Sequence, residues 1–134
     1  MVLKKSPGGS IFPYYYKNGE LFGAHFGSFF EDEAGLIELI HAEVDFFREG
    51  HKQLPYWVDF YESRLTDRVL VEFCQGIDQL AGCITRLAIV GCSRKDQKRL
   101  EQTAEANGIR FAMPVRFFKD PEAAKSWLVG EPKG

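Results

Sequence analysis

Three short, nearly continuous apolar runs, PYWVDFY at 55–61, LAIVG at 87–91 and VRFF at 115–118, are each followed by a longer segment of helical character. Runs that are apolar on both faces suit strands buried between helices, and apolar residues recurring every three or four positions mark amphipathic helices. Parallel strands are joined only by a connection that passes over the sheet, and that connection is right-handed. The alternation therefore predicts an α/β fold with a mostly parallel sheet, the 55–61 run lying inside it.

The segments between the runs carry their own start and stop signals. From Glu31 to Gly50 the stripe Ile37, Ile40, Val44 and Phe47, widened by Leu36 and Leu39, predicts a helix that Gly50 ends in a left-handed conformation. Leu70, Phe73, Cys74, Ile77, Leu80, Ala81 and Ile84 mark the next helical face; VLV at 69–71 would also suit a strand, and length favours helix. Ser93 with Asp96 three residues on is a capping pattern, Asn107-Gly108 a stop, and Asp120-Pro121 the cap and first position of a closing helix. Ahead of all this, Asn18-Gly19 between two aromatic-rich runs predicts a hairpin with a two-residue turn. That register sets Lys17 against Glu20, Tyr16 against Leu21, Tyr15 against Phe22 and Phe12 against His25, with Pro13 on an edge strand. The predicted order is β-β-α-β-α-β-α-β-α in one domain over residues 10–130, with loose ends at 1–9 and 131–134.

Composition narrows the function classes. The 134 residues suit one core, and 17 basic against 19 acidic residues give a formal charge of −2, with no basic stripe to favour nucleic acid. MVLKKSPGGS lacks the apolar core of a secretory signal, no run approaches the length of a membrane helix, and three cysteines fit neither a disulfide framework nor a zinc pattern. The expectation is a cytoplasmic protein with no cofactor and no integral membrane association.

Two strand-to-helix turns stand out as a candidate binding edge, because unpaired backbone N–H groups and the helix dipole gather at such junctions. The turn Glu62 to Arg68 offers Ser63, Arg64 and Arg68; the turn Gly91 to Gln97 offers Cys92, Ser93, Arg94 and Lys95. On neighbouring strands these residues would converge on an anion or an acidic partner surface, and the bland alternative is solvated charge on two ordinary turns. Ser63 and Thr66 read most simply as turn and cap residues. Cys92, near Arg94 and Lys95 at a helix start, is a candidate for a lowered thiol pKa, against a plain half-buried thiol. Glu38, His41 and Asp45 share a helical face that would hold a metal or simply face water. The aromatic residues of the hairpin and of Phe26, Phe29 and Phe30 suit core packing, or an apolar ligand surface or homodimer contact.

The stretch LAIVGCSRKDQKRLEQTAEANGIRFAMPVRFFKDPEAAKSWL, with the layout before it, resembles the STAS-like family named after the sporulation anti-anti-sigma factor, in particular its stand-alone SpoIIAA-like members. The likeness lies in a hydrophobic strand ending in Val-Gly, an amphipathic helix, an aromatic strand of the V-R-F-F kind and a closing helix with A-x-x-W-L, from about Pro55 to Leu128. The resemblance, whose fold overlaps that of lipid-carrying SEC14-type domains, implies a mixed sheet with helices packed on it and the binding of a protein partner or a small apolar ligand. In the anti-anti-sigma factors a phosphorylatable serine follows the second of two aspartates. Asp59 and Asp67 match the two aspartates, but Arg68 stands in the serine's place and accepts no phosphoryl group. The expectation is a non-enzymatic regulatory or binding domain, with an enzyme using Cys92 or Asp67 as the competing class and a carrier of apolar ligands as a third.

Overall fold

In the computed structural model, which describes residues 3–130, the chain runs β1 (Lys4–Lys5), β2 (Ile11–Phe12), β3 (Tyr14–Tyr16), β4 (Gly19–His25), α1 (Glu33–Glu49), β5 (Leu54–Asp59), α2 (Asp67–Gln79), β6 (Ile84–Val90), α3 (Arg94–Ala106), β7 (Val115–Phe118) and α4 (Pro121–Val129). Five strands form one sheet in the order β3-β4-β5-β6-β7, antiparallel at the β3–β4 hairpin and parallel from β4 to β7. The fold is α/β with a mixed sheet, and the apolar run around Trp57 is its central strand. Strands adjacent in sequence are adjacent in space, so each crossover steps the same way. Right-handed crossovers then place α1, α2 and α3 together on one face, and only α4 lies on the other.

Period-two alternation divides each strand between the two faces. Tyr56, Val58 and Phe60 join Phe22, Ala24, Phe26, Leu87 and Ile89 under α1 to α3, whereas Trp57, Leu21, Ala88 and Val90 meet Ala124 and Leu128 of α4. In the larger core the rings of Phe22, Phe47 and Tyr56 approach to 5.0–5.2 Å, adding about 0.5–1.5 kcal/mol per pair beyond burial. The helix boundaries follow their caps: Asp32 accepts from Gly35 N–H, Thr66 from Val69 N–H, Ser93 from Asp96 N–H, and Asp120 from Glu122 and Ala123 N–H. The ambiguous run at 69–71 is helical.

The hairpin departs from its expected register. Tyr16 pairs with Gly19, Tyr15 with Glu20 and Tyr14 with Leu21, a slip of two residues that leaves every side chain on its predicted face. The turn is Lys17-Asn18, with Lys17 at φ 53°, and Gly19 belongs to the strand. There a Cβ would come within 2.8 Å of Val129 Cβ, so the glycine serves the docking of α4 and not the turn. Phe12 pairs with Lys4 in a separate two-stranded sheet and not with His25. Gly50 has φ −72°, against the left-handed stop expected; the positive φ falls on His51, and a Cβ at Gly50 would come within 3.0 Å of the Phe12 ring.

The fold also begins before residue 10. Beyond β1, Ser6 is buried, its Oγ–H donating to Glu43 Oε2 at 3.1 Å, while Gly8 N–H donates to Glu43 Oε1 at 3.1 Å. Glu43, fully enclosed on α1, thus anchors the N-terminal segment. Residues 1–2 and the expected loose tail at 131–134 lie outside the described residues. Among the described residues no helix is long and apolar enough to cross a membrane.

Candidate functional site at the carboxyl edge of the sheet

Because β5 and β6 are neighbours, the turns that follow them meet, and Ser63, Arg64, Asp67, Ser93, Lys95 and Arg99 line one groove of about 580 Å³. Of the residues singled out in the two turns and before them, the groove takes in Ser63, Arg64, Asp67, Ser93 and Lys95, whereas Asp59, Arg68, Cys92 and Arg94 do not line it. Asp59 ends β5, its Oδ1 accepting from Tyr61 N–H at 2.8 Å, which turns the chain at the edge. Ser63 Oγ–H donates to Phe26 O at 2.6 Å and its oxygen accepts from Phe29 N–H at 3.0 Å, tying the loop after β4 to the loop after β5. Thr66 caps α2 and donates its hydroxyl hydrogen to the Glu33 carboxylate. Ser93 caps α3.

Arg64, Arg68 and Arg99, however, are taken up by this chain's own acids. Arg64 Nη1 lies 3.0 Å from Glu31, Arg68 lies 3.9 Å from Glu33, and Arg99 bridges Asp67 at 2.7 Å and Asp96 at 3.0 Å while donating to Leu65 O. Asp67 and Asp96 also sit in the first turns of α2 and α3, where they complement the helix dipoles. The guanidinium charges of Arg64 and Arg99 in the groove are thus neutralised from within the chain. Arg94 and Lys95, both exposed, are the cations there without an ion-pair partner among the described residues.

Of the two readings of Cys92, an activated thiol and a plain half-buried one, the structure fits the second. Burial, with the charges of Asp96 and Asp59 adding to it, pushes its pKa up to about 12, so at neutral pH it is protonated and a poor nucleophile. Its neighbours Arg94 and Lys95 point their charge to solvent-exposed positions and do not offset this. Cys74, in the core as its helical stripe predicted, is likewise raised to about 12 by burial. The helix face of Glu38, His41 and Asp45 does not form a metal cage: His41 Nε2 meets Glu72 of α2 at 2.5 Å and Asp45 pairs with Arg48 at 2.7 Å.

Two large rings are exposed at this edge: Phe30, read as core or as an apolar surface, and Tyr61, which carried no sequence signal beyond its place at the end of an apolar run. Phe30 and Tyr61 present their rings to water, 59% and 63% exposed. Their loops are laced together: Ser28 N–H donates to Tyr61 O at 2.6 Å, Phe30 N–H to Glu62 O at 2.8 Å, and Arg64 N–H to Phe30 O at 2.9 Å. Ser28, Phe30 and Glu62 all have φ between 51° and 61°, a conformation that costs a bulky residue such as phenylalanine about 1 kcal/mol or more and persists only where neighbours enforce it. No periodicity encodes this. Phe29-Phe30 after a strand reads equally as core or as an apolar surface, and the loop geometry is what turns one of the two rings outward.

The chain matches no protein-family model, no curated protein and no solved structure. Fold and edge together define an α/β protein with a five-stranded mixed sheet, three helices on one face and one on the other.

Proposed function

We propose that the protein is a non-enzymatic STAS-like binding domain that docks a protein partner through the carboxyl edge of its sheet, with Phe30 and Tyr61 as anchors. The observation that carries this reading is the pair of exposed rings held on strained, cross-braced loops. Aromatic residues on a pre-ordered surface contribute most per residue to protein interfaces, because ring burial is gained at little cost in side-chain entropy. The charged residues around them, Arg64, Arg68, Arg94 and Lys95 with Glu31 and Glu62, suit the polar rim of such an interface. The family enters this reading through the sequence resemblance alone, in its βα turns, the spacing of Asp59 and Asp67, and the Val-Gly and A-x-x-W-L features, while the α/β fold with a mixed sheet is compatible with it. Three free cysteines suit a reducing cytoplasm.

The family's phosphorylation switch is not part of this proposal. Arg68 occupies the serine's position, and the nearby hydroxyls of Ser63 and Thr66 are engaged in the bonds that hold the edge together. The test is affinity capture from the source cell with wild type and with Phe30→Ser/Tyr61→Ser. A specific partner retained by wild type and lost by the double variant, with Arg110→Ser unaffected, is the expected result. Retention of that partner by the double variant would rule the edge out.

A further inference from the structure

The face of the sheet that carries α4 is only partly covered. Alternation along β4 sets Leu21, Gly23 and His25 beside Trp57 of β5, and Gly23, paired with Trp57, leaves the ring room that a Cβ at 3.0 Å would take. The segment Gly9–Ile11 straps over this corner, Ser10 Oγ–H donating to Gly23 O. Between the strap, the sheet and α4 remains a half-open cavity of about 190 Å³, lined by Tyr14, Gly23, His25, Trp57 and Lys125 among others. That is room for roughly six waters at about 30 Å³ each, the size of one ring with an acid group and too little for a nucleotide.

Its chemistry is specific. Lys125 Nζ lies 5.0 Å from the centre of the Trp57 ring and 5.6 Å from that of Tyr14, and it has no carboxylate partner among the described residues. The His25 ring stands edge-on to Trp57 at 5.2 Å. Trp57, 5% exposed, also keeps its Nε1–H buried without an acceptor, the one such side-chain atom among the described residues. A cation with no carboxylate at ion-pair distance among the described residues, set among three aromatic rings, favours a ligand that brings both a negative charge and a flat apolar body.

We propose that this cavity binds a small aromatic carboxylate, its ring against Trp57, Tyr14 and His25 and its carboxylate on the Lys125 ammonium. The site shares no lining residue with the carboxyl-edge groove and goes beyond the partner-docking reading, so either can fail without the other. The test uses benzoate as probe, followed through the indole N–H resonance of Trp57, assigned with Trp57→Phe. Benzoate shifts this resonance saturably, benzamide binds at least about tenfold more weakly, and Lys125→Met, which keeps the stem and loses the charge, weakens benzoate by a similar factor. No saturable shift at about 10 mM benzoate overturns the proposal, as does equal binding of benzamide or of acetate. The ligand comparisons on wild type hold even if Lys125→Met fails to fold.

Discussion

Glu43 is a carboxylate fully enclosed between α1 and the N-terminal segment, and its two hydrogen bonds do not repay its removal from water. Burial raises its pKa above the ordinary 4.5, with the bonds from Gly8 and Ser6 pulling the other way. A carboxyl that holds its proton more tightly when folded stabilises fully below its unfolded value, and that stabilisation is lost as pH rises through the folded value. Glu43→Gln carries no charge at any pH. Its thermal midpoint should therefore gain on wild type as pH rises above the ordinary 4.5, and parallel curves would show that Glu43 is not the group responsible. The charge on Glu43 also helps, after burial, to raise the Tyr56 hydroxyl. At this scale the sequence was least informative: Glu43 sits in the same helix as the water-facing Glu38 and Asp45, and what distinguishes it is a partner 35 to 37 positions away.

Elements were read best where their signals are local. Thr66, Ser93 and Asp120 cap the helices they were expected to cap, and Pro121 opens α4, because a cap depends on residues within one turn. The two misread glycines, Gly19 taken for a turn residue and Gly50 for a left-handed helix stop, have a distant side chain as their reason, Val129 in one case and Phe12 in the other. Gly76 on α2 is a third such position: a Cβ there would lie 2.9 Å from Val44 Cγ2 of α1. Leucine at a helix interior is better than glycine by about 1 kcal/mol in propensity, yet overpacking a tight helix contact costs about 1–3 kcal/mol. Gly76→Leu should lower the urea midpoint, and Val44→Ala in the same chain should recover part of the loss. Additive effects of the two substitutions would mean that the helices do not meet at this point.

At the scale of the molecule, the two faces of the sheet are unequal. Three helices bury the larger core, while α4, with nine residues, buries Ala124 and Leu128 alone of its own and is too short to persist undocked. Arg86 Nη1 donates to Trp127 O and Gly130 O, fastening its end. Hydrogen exchange should show α4 opening well before β5 and β6, by a sub-global route that leaves the larger core closed. Equal protection of α4 and β6 amides would make the two faces one cooperative unit. The sequence by itself determined the alternation of strands and helices, the parallel sheet and the central place of the Trp57 strand, since these follow from periodicity, caps and the handedness of crossovers. Only the tertiary structure decided the hairpin register, which rings reach water, which arginines find acids, the raised thiol of Cys92, the enclosure of Glu43 and the cavity beside Lys125. Each of these depends on contacts between side chains tens of residues apart, whose distances and desolvation no local pattern records.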